Sequence, residues 1–166
     1  IKISYSQSWH TYFGDTIWDG NLTIRGIHID GDSFIIGGAF YRIGNDTICT
    51  VAKWKNYQWT GFNLSPATDG SPNSFASYKN KLYTGSPHTW TPNGNLYNSF
   101  AIWDGVQWLP ANPPIGGTII GLKVINDSLF AVGNCEFGAK VLVTDGNTWE
   151  YLENIEANYA ASIIEY

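Results

Sequence analysis

The chain of 166 residues carries a net charge of −5, with 16% aromatic and only 14% charged residues. So many aromatic side chains exclude intrinsic disorder, and a coiled coil is excluded because it needs Ala, Glu, Lys and Leu in abundance. No stretch is rich in Lys or Arg and no apolar run reaches the roughly 20 residues of a membrane span, which argues against nucleic acid, an anionic membrane surface and a transmembrane segment.

Hairpins that carry tryptophan recur along the chain. Three times, an apolar run is followed by a two-residue turn of Lys-Asn or Asp-Gly type and by a second run with Trp, the sequence pattern of a β-hairpin. Because the Trp recurs at the same place, we predict that it packs between neighbouring sheets. The predicted turns are Lys55-Asn56, Asp104-Gly105 and Asp145-Gly146. The recurring residues are Trp59, Trp108 and Trp149, and Trp9 fits the same position 50 residues before Trp59, with Tyr5-Ser6 where the turn should be.

A second predicted hairpin precedes each of the last three Trp hairpins. Its second strand ends on glycine each time, at Gly37-Gly38, Gly85 and Gly133. Glycine at such a place indicates close approach of another backbone or a positive φ angle. The predicted strand pairs are 24–29 with 34–38, 75–78 with 82–85, and 119–125 with 129–133.

One repeat therefore holds four short antiparallel strands over 41 to 50 residues, which is typical of a β-propeller blade. No window keeps the apolar spacing of a helix without an interrupting Gly or Pro. The predicted fold is all-β, a β-propeller domain or propeller fragment that occupies residues 1–166. Its three full blades span about 24–62, 74–110 and 118–152, with strands of partial blades at 1–12 and 159–166.

Two stretches of the repeat carry a family resemblance, Phe34–Phe40 and Ala101–Trp108. With their Gly-Gly and Trp-Asp-Gly segments, they are similar to the kelch-like, galactose-oxidase-type propeller repeats of secreted and surface proteins. The resemblance implies the propeller fold and an extracellular, cell-surface or particle-surface location. It implies no particular activity, because propellers carry many unrelated functions. The third blade departs from the pattern, with Thr144 where the others have Trp54 and Trp103.

The connections between the predicted strands are long at one end of each blade and tight at the other. The long ones lie on one face, where a rigid scaffold usually presents its binding residues. Trp18 and Trp90 lie outside the repeated positions and are candidate ligand contacts, with packing inside their own loops as the alternative. The long connections are about 39–47, 61–73, 86–98 and 110–117. The candidate ligand-binding residues are Trp90, Trp18, Tyr97, Tyr41 and His88.

Residues suited to catalysis or metal binding are scattered. The three histidines have no second ligand nearby in the sequence, and Cys49 and Cys135 lack the CxxC spacing of a zinc site. Asp30 and Asp32 have the side chains for Ca²⁺, but a hairpin turn explains the pair without a metal. The copper site of galactose oxidase needs a Cys–Tyr crosslink and His ligands, a set that the sequence does not show. We therefore expect no catalytic residue, no metal and no cofactor.

These observations predict a non-catalytic binding or structural module that presents its loops to a protein partner. One alternative is a carbohydrate-binding propeller whose loop aromatics stack on sugar rings, and another is a part of a larger secreted propeller enzyme. The chain contains no methionine, so we expect a processed mature chain or a piece of a longer one. Propellers have roughly 4 to 8 blades, so we expect a fragment or a four-bladed ring closed by 159–166 beside 1–12.

Overall fold

The structure, a computed structural model, describes residues 23–64, 70–86, 99–111, 117–135, 138–152 and Ile163. Within these residues the chain is all β, with twelve strands and no helix. The strands form three antiparallel sheets of four strands each, and the order of strands within each sheet follows the chain. The predicted all-β architecture of four-stranded repeats is therefore confirmed.

Each sheet consists of two successive hairpins. The first sheet contains β1 (Thr23–Asp30), β2 (Ser33–Ala39), β3 (Val51–Lys55) and β4 (Gln58–Gly61). The second contains β5 (Ser74–Tyr78), β6 (Lys81–Gly85), β7 (Phe100–Trp103) and β8 (Trp108–Pro110). The third contains β9 (Gly117–Ile125), β10 (Ser128–Cys135), β11 (Gly138–Thr144) and β12 (Trp149–Tyr151). A longer connection joins the hairpins in the first and second sheets, whereas only residues 136–137 separate β10 from β11 in the third.

Tight turns join the strands at one end of each sheet. In three of these turns both central residues have positive φ angles, as a type I′ hairpin turn requires. The backbone twist of such a turn matches the twist of the two strands that it joins, which allows a connection of only two residues. The three pairs of central residues are Asn56-Tyr57, Lys79-Asn80 and Asn126-Asp127.

The first Trp-bearing hairpin turns one residue later than predicted. Its central residues are Asn56-Tyr57 and not Lys55-Asn56. The reason is the pairing across the strands, in which Trp54 lies opposite Trp59 with their ring centroids 5.2 Å apart. Cross-strand aromatic pairs of this kind stabilise a sheet, so they select the register.

The Asp-Gly connections are four-residue loops and not the predicted two-residue turns. In the first of them, Trp103 pairs with Trp108, and the residues between fold around the side chain of Asp104. Its Oδ1 accepts the backbone N–H groups of Val106 and Gln107, both at 2.8 Å. The carboxylate thus accepts hydrogen bonds from backbone N–H groups that have no partner in the other strand.

The three sheets lie side by side and meet through their first strands. β1 contacts β5, and β5 contacts β9. The approach is close, since a Cβ atom on Gly85 would lie 2.7 Å from the carbonyl oxygen of Ile119, and one on Gly37 would lie 2.9 Å from that of Pro72. The predicted close approach at these two glycines is therefore confirmed. The approaching backbone belongs to β9 at Gly85 and to the residues just before β5 at Gly37.

Two of the repeated Trp residues link neighbouring sheets. Trp108 in β8 is 2% exposed, and its indole N–H donates to the carbonyl of Phe62, just after β4, at 2.9 Å. Trp149 in β12 donates in the same way to the carbonyl of Ala111, just after β8, at 3.2 Å. The prediction that the repeated Trp packs between sheets is confirmed for these two residues.

The ends of the predicted propeller fall largely outside the described residues, which include neither Trp9 with its strand 1–12 nor 159–166 apart from Ile163. Ile163 lies against the third sheet, where a Cβ atom on Gly121 of β9 would be 3.3 Å from its backbone nitrogen. Ring closure and blade number stay predictions. In the part of the chain that the structure describes, no helix is long and apolar enough to span a membrane.

Candidate functional site

Tyr41 is the candidate binding residue that lies in the described part of the chain. It belongs to the connection of residues 40–50 between β2 and β3, at the end of the first sheet opposite its tight turns. Its side chain is 42% exposed and therefore accessible to a partner. The other candidates, Trp18, Trp90, Tyr97 and His88, lie outside the described residues. So do the central parts of the connections 61–73, 86–98 and 110–117.

The 40–50 connection is anchored by an apolar cluster. Phe40, Ile43 and Ile48 are buried, together with Ile36 of β2 and Ala52 of β3. Burial of a large apolar side chain contributes about 1.5–3 kcal/mol relative to leaving it exposed. The connection is therefore part of the packed scaffold, although it contains no regular strand.

Hydrogen bonds close the base of the 40–50 connection. The backbone N–H of Thr50 donates to the carbonyl of Phe40 at 2.9 Å. The thiol of Cys49 donates to the carbonyl of Tyr41 at 3.6 Å. Burial raises the pKa of Cys49, so the sulfur keeps the proton that it donates. These bonds hold the backbone on which Tyr41 is presented.

The tip of the connection presents polar groups beside Tyr41. Ile43 and Asp46 exchange two backbone hydrogen bonds at 3.1 Å, which form the turn. The exposed guanidinium of Arg42 donates to the carbonyl of Asn45 at 3.4 Å and so lies along this turn. Tyr and Arg are enriched among the residues that dominate binding at protein interfaces. The tip therefore offers the side-chain chemistry of an interface on a fixed backbone.

A polar network joins the first two sheets on the side of the tight turns. Asp30, the last residue of β1, accepts hydrogen bonds from Ser77 of β5 at 2.9 Å and from Lys53 of β3 at 3.0 Å. His28 Nε2 lies 2.9 Å from the Ser77 hydroxyl oxygen. Because Ser77 gives its only proton to Asp30, the His28 ring donates to Ser77.

This direction of the hydrogen bonds does not suit nucleophilic catalysis. An activated serine needs a base that accepts its proton, whereas His28 donates to Ser77. In a hydrolase triad the acid orients the histidine, whereas Asp30 here binds the serine. The three residue types of a triad thus form a structural link between two sheets.

The charges of this network are set by opposing effects. Burial lowers the pKa of His28, and the nearby negative charge of Asp30 only partly opposes it. For Asp30, burial acts to raise the pKa, but hydrogen bonds from Lys53 and Ser77 bring it below its usual value. At neutral pH the network therefore contains a neutral imidazole and a carboxylate that is paired with an ammonium group.

We expect the free energy of unfolding to fall as the pH drops below about 6.5. The pKa of His28 is lower in the folded chain than in the unfolded chain, so in this range the unfolded chain binds more protons and is favoured. The His28→Gln variant, which can still donate to Ser77, should show a weaker dependence on pH. Urea unfolding of both proteins between about pH 5 and pH 8 measures the effect. The other two histidines are common to both proteins, so an unchanged pH dependence in the variant would exclude His28 as its source.

Lysines hold both acids of the β1–β2 turn. Asp30 pairs with Lys53 at 3.0 Å, and Asp32 pairs with Lys55 at 2.9 Å. Across the described ranges, no group of three His, Cys, Asp or Glu side chains is placed to hold a metal ion. The contacts of Asp30 and Asp32 thus agree with a hairpin turn that is tied to β3.

Two clefts open between neighbouring sheets on the side of the tight turns. The larger, of about 580 Å³, lies between the first and second sheets, and Lys53, Lys79 and Lys81 line it. The smaller, of about 410 Å³, lies at the equivalent place between the second and third sheets. The sequence does not predict either cleft. Candidate binding residues were chosen on long connections, and both clefts lie beside short turns. The only hint is the grouping of lysines around two turns of an acidic chain.

Comparisons with known proteins add no family and no relative to this picture. A scan against protein-family models found no match, and a search of curated proteins found no similar sequence. The kelch-like resemblance therefore depends on the residues of the repeat alone. The function has to be inferred from the geometry of the chain.

Proposed function

We propose that this chain is a β-propeller segment that acts as a non-catalytic binding or structural module, with its loop face turned to a protein partner. Three four-stranded sheets that meet through their first strands support the propeller arrangement. The kelch-like pattern of Phe34–Phe40 and Ala101–Trp108 supports a location outside the cell, on a cell surface or on a particle surface, because such repeats are typical of secreted and surface proteins.

The anchored 40–50 connection is the observation that carries this proposal. Its apolar residues are buried in the first sheet, whereas Tyr41 and Arg42 are exposed. A loop that is already ordered loses little conformational entropy when it binds, so more of its contact energy appears as affinity. The tyrosine ring supplies contact area and the guanidinium supplies hydrogen-bond donors. Contact at this loop therefore requires no rearrangement of the scaffold.

A binding screen against an array of extracellular proteins, with a glycan array in parallel, tests the proposal. We expect protein binding, and we expect Tyr41→Ala to weaken it by about 30-fold, as for an interface residue worth ~2 kcal/mol. Tyr57→Ala is the matched control, because Tyr57 is 79% exposed at the opposite end of the same sheet. Its affinity should equal that of the unmodified chain.

Other outcomes of the screen would change the conclusion. Protein binding that survives both Tyr41→Ala and Arg42→Ala would exclude the 40–50 connection as the contact. Glycan binding without protein binding, lost on Tyr41→Ala, would establish the carbohydrate-binding alternative. The Trp90→Ala variant extends the same comparison to a loop aromatic outside the described residues.

A further inference from the structure

Neighbouring sheets meet through a fixed pattern along their first strands. A Cβ atom on Gly26 of β1 would lie 3.0 Å from the ring of Phe75 in β5. Asp30 of β1 accepts a hydrogen bond from the hydroxyl of Ser77 in β5 at 2.9 Å. The side of a sheet that faces the next sheet in the chain is called its front here, and the opposite side its rear. The two β1 residues thus lie at the front of the first sheet, and the two β5 residues lie at the rear of the second.

The second sheet makes contacts on both of its sides. Because side chains alternate along β5, Ala76 and Tyr78 lie at its front, where they share an apolar cluster with Leu122 of β9. Leu122 accordingly lies at the rear of the third sheet. Phe75 and Leu122 are both buried. In each of the two contacts, therefore, a rear residue of the first strand is buried against the front of the preceding sheet.

The same pattern continues at the front of the third sheet. A Cβ atom on Gly121 of β9 would lie 3.3 Å from the side chain of Ile163. Gly121 and Gly26 are equivalent, since each is the fifth residue from the end of its strand. Ile163 therefore takes the position at the front of the third sheet that Phe75 takes at the front of the first.

The rear of the first sheet carries two exposed isoleucines. Ile27 and Ile29 of β1 alternate with the front residues and are 68% and 69% exposed. Counted from the end of its strand, Ile27 corresponds to the buried Phe75 and Leu122. Exposed apolar surface of this kind often mediates contacts between proteins. β1 thus presents an Ile27–Ile29 surface at the place where β5 and β9 are covered by the preceding sheet.

An occupant of this surface has to resemble the front of a sheet. The chain contains a matching sequence, because Ser-Ile-Ile-Glu-Tyr at 162–166 corresponds to Ser-Phe-Ala-Ser-Tyr at 74–78. In a strand whose Ile163 is directed to β9, alternation directs Ile164 and Tyr166 to the opposite side. The segment therefore combines a rear residue that fits the third sheet with two apolar front residues that suit the Ile27–Ile29 surface.

Ile163 leaves the Ile27–Ile29 surface of its own chain uncovered. The residue lies against β9, and both isoleucines of β1 are exposed with Ile163 in that position. When identical chains associate through two different surfaces, the contacts form a ring if the rotation between the copies closes. The smallest such ring contains two copies.

We propose that two copies of this chain form a closed ring, in which residues 162–166 of each copy pack on the Ile27–Ile29 surface of the other. Ile164 and Tyr166 supply the apolar contact. The contact is made twice, once at each junction of the two chains. It does not involve the 40–50 connection, which stays on the loop face of each copy.

A hydrogen bond fixes the register of this contact. Within the chain, the hydroxyl of Tyr78 donates to the carbonyl of Asp127, the second residue of the β9–β10 turn, at 2.9 Å. Asp32 is the second residue of the corresponding β1–β2 turn, and Tyr166 corresponds to Tyr78. The hydroxyl of Tyr166 in one copy thus donates to the carbonyl of Asp32 in the other.

Analytical ultracentrifugation of the full chain tests the ring by its mass. We expect a particle of twice the 18.4 kDa of one chain. Ile27→Asn and Ile29→Asn should each weaken association by about 100-fold, because a buried isoleucine contributes roughly tenfold and each substitution occurs twice in the ring. Val106→Asn is the matched control, since Val106 is equally exposed but belongs to the β7–β8 loop of the second sheet. Its association should equal that of the unmodified chain.

Disulfide formation identifies the occupant of the surface. Ile164 and Ile29 correspond to His28 and Ser77, whose side chains are in contact at 2.9 Å. The Ile29→Cys/Ile164→Cys chain should therefore be linked to a second chain on oxidation, which nonreducing electrophoresis detects. Ile29→Cys alone should give no more linked chains than the unmodified protein, because the two copies of residue 29 belong to different junctions.

Three results would overturn the two-copy ring. A disulfide within one chain would mean that a single copy closes on itself. The mass of one chain without any link would mean that the surface belongs to a different partner. Equal association of the Ile29→Asn and Val106→Asn proteins would place the contact elsewhere. Ile27 and Ile29 are exposed, so their substitution leaves the fold of one copy intact, which circular dichroism verifies. None of the substitutions touches residues 40–50, so the result is independent of the loop-face proposal.

Discussion

Replacing Trp108 with Ala is expected to lower the free energy of unfolding by about 3–5 kcal/mol. The side chain is 2% exposed and contacts Phe62 and Trp103, with ring-centroid distances of 5.9 and 5.3 Å. The substitution leaves a cavity between the first two sheets. It also removes the indole N–H that donates a hydrogen bond to the Phe62 carbonyl. Both losses fall on the contact between sheets, so they affect the assembly of the sheets more than any one hairpin.

Urea unfolding measures this loss against two comparisons. Trp149→Ala should cost less, because Trp149 is partly exposed and its hydrogen bond is longer, at 3.2 Å. Tyr57→Ala, at a residue that is 79% exposed, should change the unfolding free energy by less than about 0.5 kcal/mol. If Trp108→Ala does not fold, Trp108→Phe keeps most of the ring and should lose about 1–3 kcal/mol. A loss no larger at Trp108 than at Trp149 would contradict the inferred role.

The sheets were predictable because each strand pairs with its neighbour in the chain. Turn signals and apolar runs are local, and in a sheet built of successive hairpins local signals are sufficient to define the partners. The turn positions were less predictable. Trp54 and Trp59 select a register through their mutual contact, and this contact outweighs the preference of any single residue for the turn.

The contacts between sheets were not predictable in the same way. His28 and Ser77 are 49 positions apart, and no local pattern places their side chains together. The larger cleft likewise exists only because the first and second sheets pack side by side. The sequence marks Gly85 as a special position but does not identify the backbone that approaches it. Candidate binding residues on long loops can be predicted from a sequence. A cleft between packed sheets can be found only from the three-dimensional structure.

The Gly85→Ala substitution is expected to lower the free energy of unfolding by about 1–3 kcal/mol, as overpacking of a filled interface does. The new Cβ would lie 2.5 Å from the Ser74 hydroxyl oxygen and 2.7 Å from the carbonyl oxygen of Ile119. It would also lie 2.8 Å from the Ile119 side chain, which is fully buried. The backbone of β9 is fixed by its own sheet, so the second and third sheets must separate to admit the methyl group.

Gly61→Ala separates this clash from the general effect of replacing glycine. A Cβ on Gly61 would lie 3.4 Å from Ile48, which is an ordinary contact, and alanine in a strand is favoured over glycine by roughly 0.5–1 kcal/mol. Urea unfolding should therefore show unchanged or higher stability for Gly61→Ala and lower stability for Gly85→Ala. Equal changes at both positions would mean that the sheets adjust freely. A loss at Gly85 alone means that this glycine sets the distance between the second and third sheets where β6 approaches β9.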